Sequence, residues 1–363
     1  TRKCFGDKIG SLMQSMRLRN KMREIKSNKK SFFTKIFIKL CRVFGFEIID
    51  QANFNLPATN KNLNQSISIP GERSMVLPLG KVSITRRVKS LDIILRTCMS
   101  VNMLTQSKKR IFEMDKEEYT KRTLISLIKS VNYAKNVFKN TRFKIFIIDH
   151  NSNESQMSKI ENILKKSNID HEITNLQLER FSKQIRKLNE ENKVVTQNQK
   201  SNMSNIHQSL VFSKERSEDL IYFVEDDYIH EKNSISEMLF TFERIASLIN
   251  QDCIVCPTDY PYLYAQTNET KIFLGENSHW RQIDQTLCTF LTSKKIIEKH
   301  WEKFISMCKF EHYPFEKPLH NIYKKELCIS PIPSLSVHFT NINSIYGLSP
   351  NVDWKKLWEE NES

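Results

Sequence analysis

Three carboxylates stand in a row at Glu225-Asp226-Asp227, directly after the apolar run Leu220-Ile-Tyr-Phe-Val224. At the end of a buried strand such groups repel one another and lose solvent, so something must offset the cost. Hard oxygen ligands suit Mg²⁺ or Mn²⁺, and a metal held there can bridge a nucleotide diphosphate and draw charge off a leaving group. A solvated acidic turn before a helix, favoured by the macrodipole, is the other reading. Another acid, Asp149, closes the apolar run Phe143-Lys-Ile-Phe-Ile-Ile148 before the turn His150-Asn151-Ser152. Further along, Trp280, Arg281 and Asp284 lie close together. Sugars offer C–H faces to aromatics and hydroxyls to carboxylates, so Trp280 and Arg281 are acceptor-binding positions on this reading. Asp284 can then deprotonate an acceptor hydroxyl. Against that, Trp280 reads equally as a core aromatic and Asp284 as a surface acid.

Elements in a definite order must position these groups. Leu91–Arg96 reads as a buried strand, Tyr119–Asn136 as a helix on the spacing of Leu124, Leu127, Ile128 and Val131, and Phe143–Asp149 as a second strand. Ser155–Lys166 reads as helix and Ile169–Thr174 as a third strand. Residues 177–202 are rich in Lys, Gln and Asn and read as a long loop or solvated helix, before a helix over Ser204–Arg216. After the acidic triplet, Ser234-Ile-Ser-Glu237 has the form of a capping box opening a helix to Ile249, and Cys253–Cys256 forms the next strand. The alternation predicts an α/β domain with a mostly parallel sheet flanked by helices. Ligands of such sheets bind beyond the C-terminal strand ends, where Asp149 and Glu225–Asp227 fall.

Composition narrows the function. Only 7 glycines are present, and none cluster, which excludes the glycine-rich dinucleotide loop and the Walker A loop. The first 46 residues hold 13 Lys and Arg against Asp7 and Glu24, so +11 of the net +15 belongs to this arm. The rest is nearly neutral, which disfavours a nucleic-acid reader, whose folded part would carry a basic face. Eight scattered cysteines read as reduced thiols rather than a disulfide framework. Cys253-Ile-Val-Cys256 is a lone pair in an apolar run, more a buried strand than half of a zinc site.

The order strand, helix, Ile147-Ile148-Asp149-His150-Asn151-Ser152, helix, then Tyr222-Phe223-Val224-Glu225-Asp226-Asp227 resembles a GT-A-fold glycosyltransferase of the family-2 type, over about residues 89–340. That family carries Asp-Asp-Gly-Ser after its second strand and Asp-x-Asp as its metal motif; here His150 replaces the second Asp of the former and Glu225 the first of the latter. The resemblance implies a nucleotide-binding half over 89–230 and an acceptor half over 231–363. It implies that Asp149, Asn205, Glu225 and Asp226 contact the donor, and Thr97, closing the first strand, is counted with them. It implies that Asp227 holds a divalent metal and that His338 joins it. It also places Glu316 near the family's base motif, so the base is Asp284 or Glu316. The implied activity is metal-assisted, inverting transfer of a sugar from a nucleotide-sugar donor to a carbohydrate or lipid-linked acceptor, as in polysaccharide biosynthesis. A nucleotidyltransferase is the alternative enzyme, although Arg96-Thr97-Cys98 offers none of the glycines expected after its first strand. A non-enzymatic basic membrane or nucleic-acid binding protein is the third reading.

The basic arm spans residues 1–50, and a linker rich in Asn, Ser and Pro spans 51–85 before the domain over 86–363. Within the arm, Phe33, Ile36, Phe37, Leu40 and Phe44 recur at helical steps, while Lys35, Lys39 and Arg42 line another face. Such a helix suits an anionic membrane surface, or it docks its apolar face on the body. No run of about 20 apolar residues exists. The start lacks the apolar core of a secretory signal, so the expectation is a cytoplasmic protein, peripheral on the inner membrane face.

Overall fold

A computed structural model describes residues 32–46, 48, 83–100, 110–265, 269–340 and 344–362. Most of the arm, and the linker up to residue 82, lie outside the described residues. The chain divides into two units, Thr1–Ser83 and Ile84–Ser363. In the first, the described element is helix α1 (Phe32–Val43).

The second unit is built on strand β1 (Ser90–Thr97), whose eight residues are all buried. A strand covered on both faces reads as a continuous apolar run, hence the legibility of Leu91–Leu95. β1 lies parallel between β2 (Arg142–Asp149) and β4 (Leu220–Glu225), and β3 (Asp170–Asn175) extends the sheet parallel to β2. Helices α2 (Lys116–Val137), α3 (Glu154–Lys165) and α5 (Gln197–Arg216) make the crossovers, with a short α4 (Leu178–Phe181) before α5. Beyond β4 come β9 (Phe290–Ser293), β6 (Ile254–Val255), β10 (Cys328–Ile332), β8 (His279–Gln282) and β7 (Ile272–Leu274), completing nine strands in the order β3-β2-β1-β4-β9-β6-β10-β8-β7. β9 is antiparallel to both its neighbours, and β8 to both of its own. The sheet is therefore mostly parallel, in a mixed α/β architecture. Cys253 and Cys256 flank β6 as buried free thiols.

A second, two-stranded sheet pairs β5 (Tyr228–His230) with β11 (Ser336–His338) antiparallel, setting His338 opposite Tyr228. Its own apolar cluster holds it: Tyr119, Ile229, Val337, Phe339, Leu357 and Trp358 are all buried there. The Arg122 guanidinium lies 4.4 Å over the Trp358 ring, which docks α10 (Trp354–Glu359) on α2. Among the described residues no helix is long and apolar enough to cross a membrane.

The expected capping box at Ser234 is not formed. Helix α6 (Ser234–Ile249) starts one residue earlier than that motif requires, and its N-cap Asn233 makes no side-chain capping bond. Ser234 Oγ donates to the Leu335 carbonyl instead. Glu237 is fully buried and accepts the backbone N–H of Glu276 and Asn277, each at 2.9 Å, and the indole N–H of Trp280 at 3.3 Å. Gly275 makes this packing possible, because a Cβ there would overlap the Glu237 carboxylate, the Trp280 indole and Thr241 Oγ1. Gly275→Ala is expected to destabilise by about 2 kcal/mol through overpacking. Thermal melts should show a fall of several degrees, and an unchanged melting temperature would refute this account of the turn.

Candidate active site at the ends of the parallel strands

A cleft of about 580 Å³ opens where β1, β2 and β4 end. Three elements place the acidic triplet on its wall. β4 delivers Glu225 at its last residue, Asp226 follows in the turn, and Asp227 sits immediately before β5. The β5–β11 pairing then sets Asp227 beside the end of β11, where Phe339 N donates to the Asp227 carbonyl at 2.8 Å. Asp227 Oδ2 and His338 Nε2 are consequently 3.4 Å apart, and both side chains line the cleft. Two segments remote in sequence meet through a ladder of three residue pairs.

The chain's own cations offset the cost of crowding these carboxylates. Arg96, the penultimate residue of β1, pairs with Glu225 at 2.9 Å and donates to Asn202 Oδ1 at 3.0 Å. Lys116, at the start of α2, pairs with Asp226 at 3.1 Å. Asp226 also accepts the Cys98 N–H and the Thr120 hydroxyl, each at 3.2 Å, so it fastens the end of β1 to the first turn of α2. Burial works against an ionised Asp227, but His338, Lys116 and Arg110 outweigh it and hold its carboxyl below the usual range. Burial likewise disfavours a charged His338, yet Asp227 and Glu225 raise it above an ordinary imidazole. In this state three carboxylates face three cations, and the wall is close to neutral.

A neutral wall is a poor receptor for a diphosphate, whose two or more negative charges call for added positive charge. The residues fit a divalent cation. His338 Nδ1–H donates to the Tyr346 carbonyl at 2.7 Å, and the ring stacks on Tyr228 at 4.5 Å. Such an anchor on one nitrogen aims the other, Nε2, at the Asp227 carboxylate and makes it available as a ligand once deprotonated. No group of three His, Cys, Asp or Glu forms a metal cluster among the described residues. Asp227 and His338 could therefore hold Mg²⁺ or Mn²⁺ only with phosphate oxygens and water completing the shell, which is how Mg²⁺ is commonly held.

Glu316, which follows helices α7 (Lys294–Lys299) and α8 (Trp301–Cys308) and directly precedes α9 (Lys317–Tyr323), also lines the cleft. It is 7% exposed, and burial, reinforced by the charge of Glu225 and opposed by Arg96, pushes its carboxyl up to about 8. A carboxyl poised near physiological pH at a cleft is suited to exchanging a proton with a bound hydroxyl.

Helix α5 supplies the neutral polar side of the cleft. Thr196 caps it reciprocally with Gln199, and its first turns present Gln197, Asn198, Ser201, Asn202 and Asn205 to the cavity. Asn205 donates through Nδ2 to the Ile148 carbonyl at 3.1 Å. Its buried Oδ1 has no partner among the described residues. His150 also lines the cleft, with Nδ1 2.7 Å from Ser201 Oγ; burial lowers its pKa against a smaller opposing effect of Asp149.

The structure thus gathers Thr97, Asn205, Glu225, Asp226, Asp227, Glu316 and His338 around one cleft. Four other expected site residues are elsewhere. Asp149 is not among the residues lining the cleft and is 2% exposed; its carboxylate accepts Thr97 Oγ1 at 2.7 Å, Ser152 N at 3.0 Å and Ser152 Oγ at 2.6 Å. It braces the turn that presents His150 and Asn151, the latter in the left-handed region at φ 64°. Trp280 is fully buried, so it has no face to offer a sugar. Arg281 is paired with the buried Asp259 and lies 4.5 Å from the Tyr264 ring. Asp284 is exposed and lies outside the cleft lining. Sequence reasoning named Asn205 on α5 but missed Lys116 and the other cleft-facing residues of that helix, Gln197, Asn198, Ser201 and Asn202. The Thr196–Gln199 spacing was the available signal for the helix start.

No family model matches the sequence, and no curated protein matches it. Among solved structures, the galactosyltransferase LgtC in complex with donor and acceptor sugar analogues overlaps 74% of this chain and 94% of its own length, at 8% identity and a TM-score of 0.37. UDP-glucose pyrophosphorylase complexed with UDP-glucose overlaps 76% of this chain and 97% of its own, at 8% identity and a TM-score of 0.36. Mouse xyloside xylosyltransferase 1 overlaps 65% and 76%, at 9% identity and a TM-score of 0.34. Overlaps this loose carry no information about the chemistry of the cleft.

Proposed function

We propose that the chain is a glycosyltransferase that moves a sugar from a nucleoside-diphosphate donor to a hydroxyl of a carbohydrate or lipid-linked acceptor. One observation carries this reading: a single cleft, of the size that takes a small-molecule ligand, is lined both by the Asp227–His338 pair and by a proton-exchanging carboxyl, Glu316. Asp227 and His338 would hold a divalent cation, which would supply positive charge for the departing diphosphate. Lys116 and Arg96 hold Asp226 and Glu225 in place and bring positive charge to the same region. Ionised Glu316 takes the acceptor proton as the acceptor oxygen bonds to the anomeric carbon. The bond from that carbon to the phosphate oxygen breaks, and its electron pair leaves with the diphosphate. Direct displacement by the acceptor inverts the anomeric centre. Glu316 takes the role of base over Asp284 because it lines the cleft.

The orphaned Asn205 Oδ1 fits an N–H of the donor's base or a ribose hydroxyl. Asn205→Ala is expected to weaken donor binding roughly fivefold to tenfold, the worth of one hydrogen bond, as read by calorimetry. The function itself is tested by incubating the full chain with UDP-, GDP-, dTDP- and CMP-sugars, with and without Mn²⁺, and following nucleotide release and thermal shift. A metal-dependent shift and slow hydrolysis with one nucleoside-diphosphate sugar support the proposal. Formation of a nucleotide-sugar and pyrophosphate from a nucleoside triphosphate and a sugar 1-phosphate would identify a nucleotidyltransferase instead.

A further inference from the structure

Helix α1 has a surface that the transferase reading does not use. Its large apolar side chains are exposed: Phe32 72%, Phe33 79%, Ile36 49%, Phe37 59%, Leu40 56% and Val43 65%. At 100° per residue these six fall within an arc of roughly 140°. Lys35, Lys39 and Arg42 fall together in an adjoining arc, and the helix contains no acid. Isolated exposed apolar residues need no explanation, but six on one side of a 12-residue helix do. The charge beside them identifies the occupant. A protein groove would cover the apolar arc without requiring a basic border, whereas the headgroup layer of an anionic bilayer requires both: acyl chains for the phenylalanines and phosphates for the flanking cations. The sequence around α1 agrees, since residues 1–46 carry a net +11. Gly45 closes the helix in the left-handed region at φ 85°, and Phe44 and Phe46 beyond it are each 70% exposed, extending the apolar surface past the last turn.

We infer that α1 lies flat in the interface of an anionic phospholipid membrane, with Phe33, Phe37 and Leu40 among the acyl chains and Lys35, Lys39 and Arg42 at the phosphates. At about 18 Å the helix is too short to span a bilayer, so it binds along the surface. One such helix is a reversible anchor, and its strength depends on lipid charge. The inference is independent of the chemistry of the cleft.

The test is flotation of the full chain with extruded vesicles of phosphatidylcholine alone and of phosphatidylcholine mixed with phosphatidylglycerol. Binding is expected to the mixed vesicles, weakly if at all to the neutral ones, and to be released at about 1 M salt, where the screening length is about 3 Å. Replacing Lys35, Lys39 and Arg42 by Gln should lower partitioning about a hundredfold, since each charge contributes roughly fivefold. Replacing Phe33 and Phe37 by Ser should lower it at least tenfold while leaving the melting temperature unchanged, because α1 has no buried residue. Equal binding to both vesicle types, no binding to either, or variants that bind like the parent would overturn the inference. So would light scattering that shows a dimer lost in the Phe-to-Ser variant without any vesicle binding, since the apolar face would then belong to a second copy of the chain.

Discussion

Glu316→Gln is expected to lower turnover by about a thousandfold and, at pH 8 and above, to make the protein harder to unfold. Both effects follow from one buried carboxyl. As the proposed base, Glu316 must be ionised to accept the acceptor proton, so kcat/KM should climb with pH and level off above about 8. Gln cannot accept the proton, and the variant should lose this limb of the profile. The stability effect has the opposite sign. Because the folded-state pKa is raised from 4.5 to about 8, the stability tied to the protonated form is fully present below pH 4.5 and is lost as pH rises toward 8. The loss reaches up to roughly 5 kcal/mol. Gln stays neutral throughout, so the two melting curves should coincide at pH 4.5 and separate progressively up to pH 8. A variant less stable than the parent at pH 8.5, or fully active, would remove Glu316 from its proposed role.

Asp227→Asn should also lower turnover by about a thousandfold, but with a different signature. The carboxamide keeps the shape and leaves the backbone bond from Phe339 in place, so the fold should survive. What disappears is the anionic oxygen facing His338. Mn²⁺ should then cease to enhance donor binding, and the metal-dependent part of the thermal shift should vanish while any metal-free part remains. Adding a chelator to the parent protein should have the same effect on donor binding. Retention of the full Mn²⁺-dependent shift in the variant would mean that the cation is held elsewhere.

How much of this could be read from the sequence depended on range. β1, β2 and β4 were legible because strands buried on both faces are apolar throughout, and Asp149 and the Glu225–Asp227 triplet are where those runs end. β9 was not, since four residues running antiparallel between longer parallel strands leave no periodic trace. The triplet's first counter-charge was not read from the sequence, where Arg96 stands only as the one cation in an apolar run. Which carboxylate it would meet was fixed by the β1–β4 register, which sets Arg96 opposite Glu225. The Asp227–His338 meeting depends on a ladder of only three residue pairs and had no local signal. Trp280 misled because the side-chain types that recognise sugars also fill cores, and its complete burial, with the indole N–H bonded to Glu237, tells them apart here. The amide-rich start of α5 read as loop or solvated helix because its polar side faces a cavity rather than an apolar layer.

The short ladder of β5 and β11 also has a consequence for biosynthesis. β1 to β4 emerge from the ribosome early and contain the pairings of their own parallel array, but His338 is made only after every strand of the nine-stranded sheet, and its strand is clamped by Trp358 later still. A nascent or prematurely terminated chain can therefore complete much of its scaffold without assembling the pair that would grip a donor. Removing α10 should leave a folded, hydrolytically silent protein, so that donor breakdown waits for this helix to be made and docked.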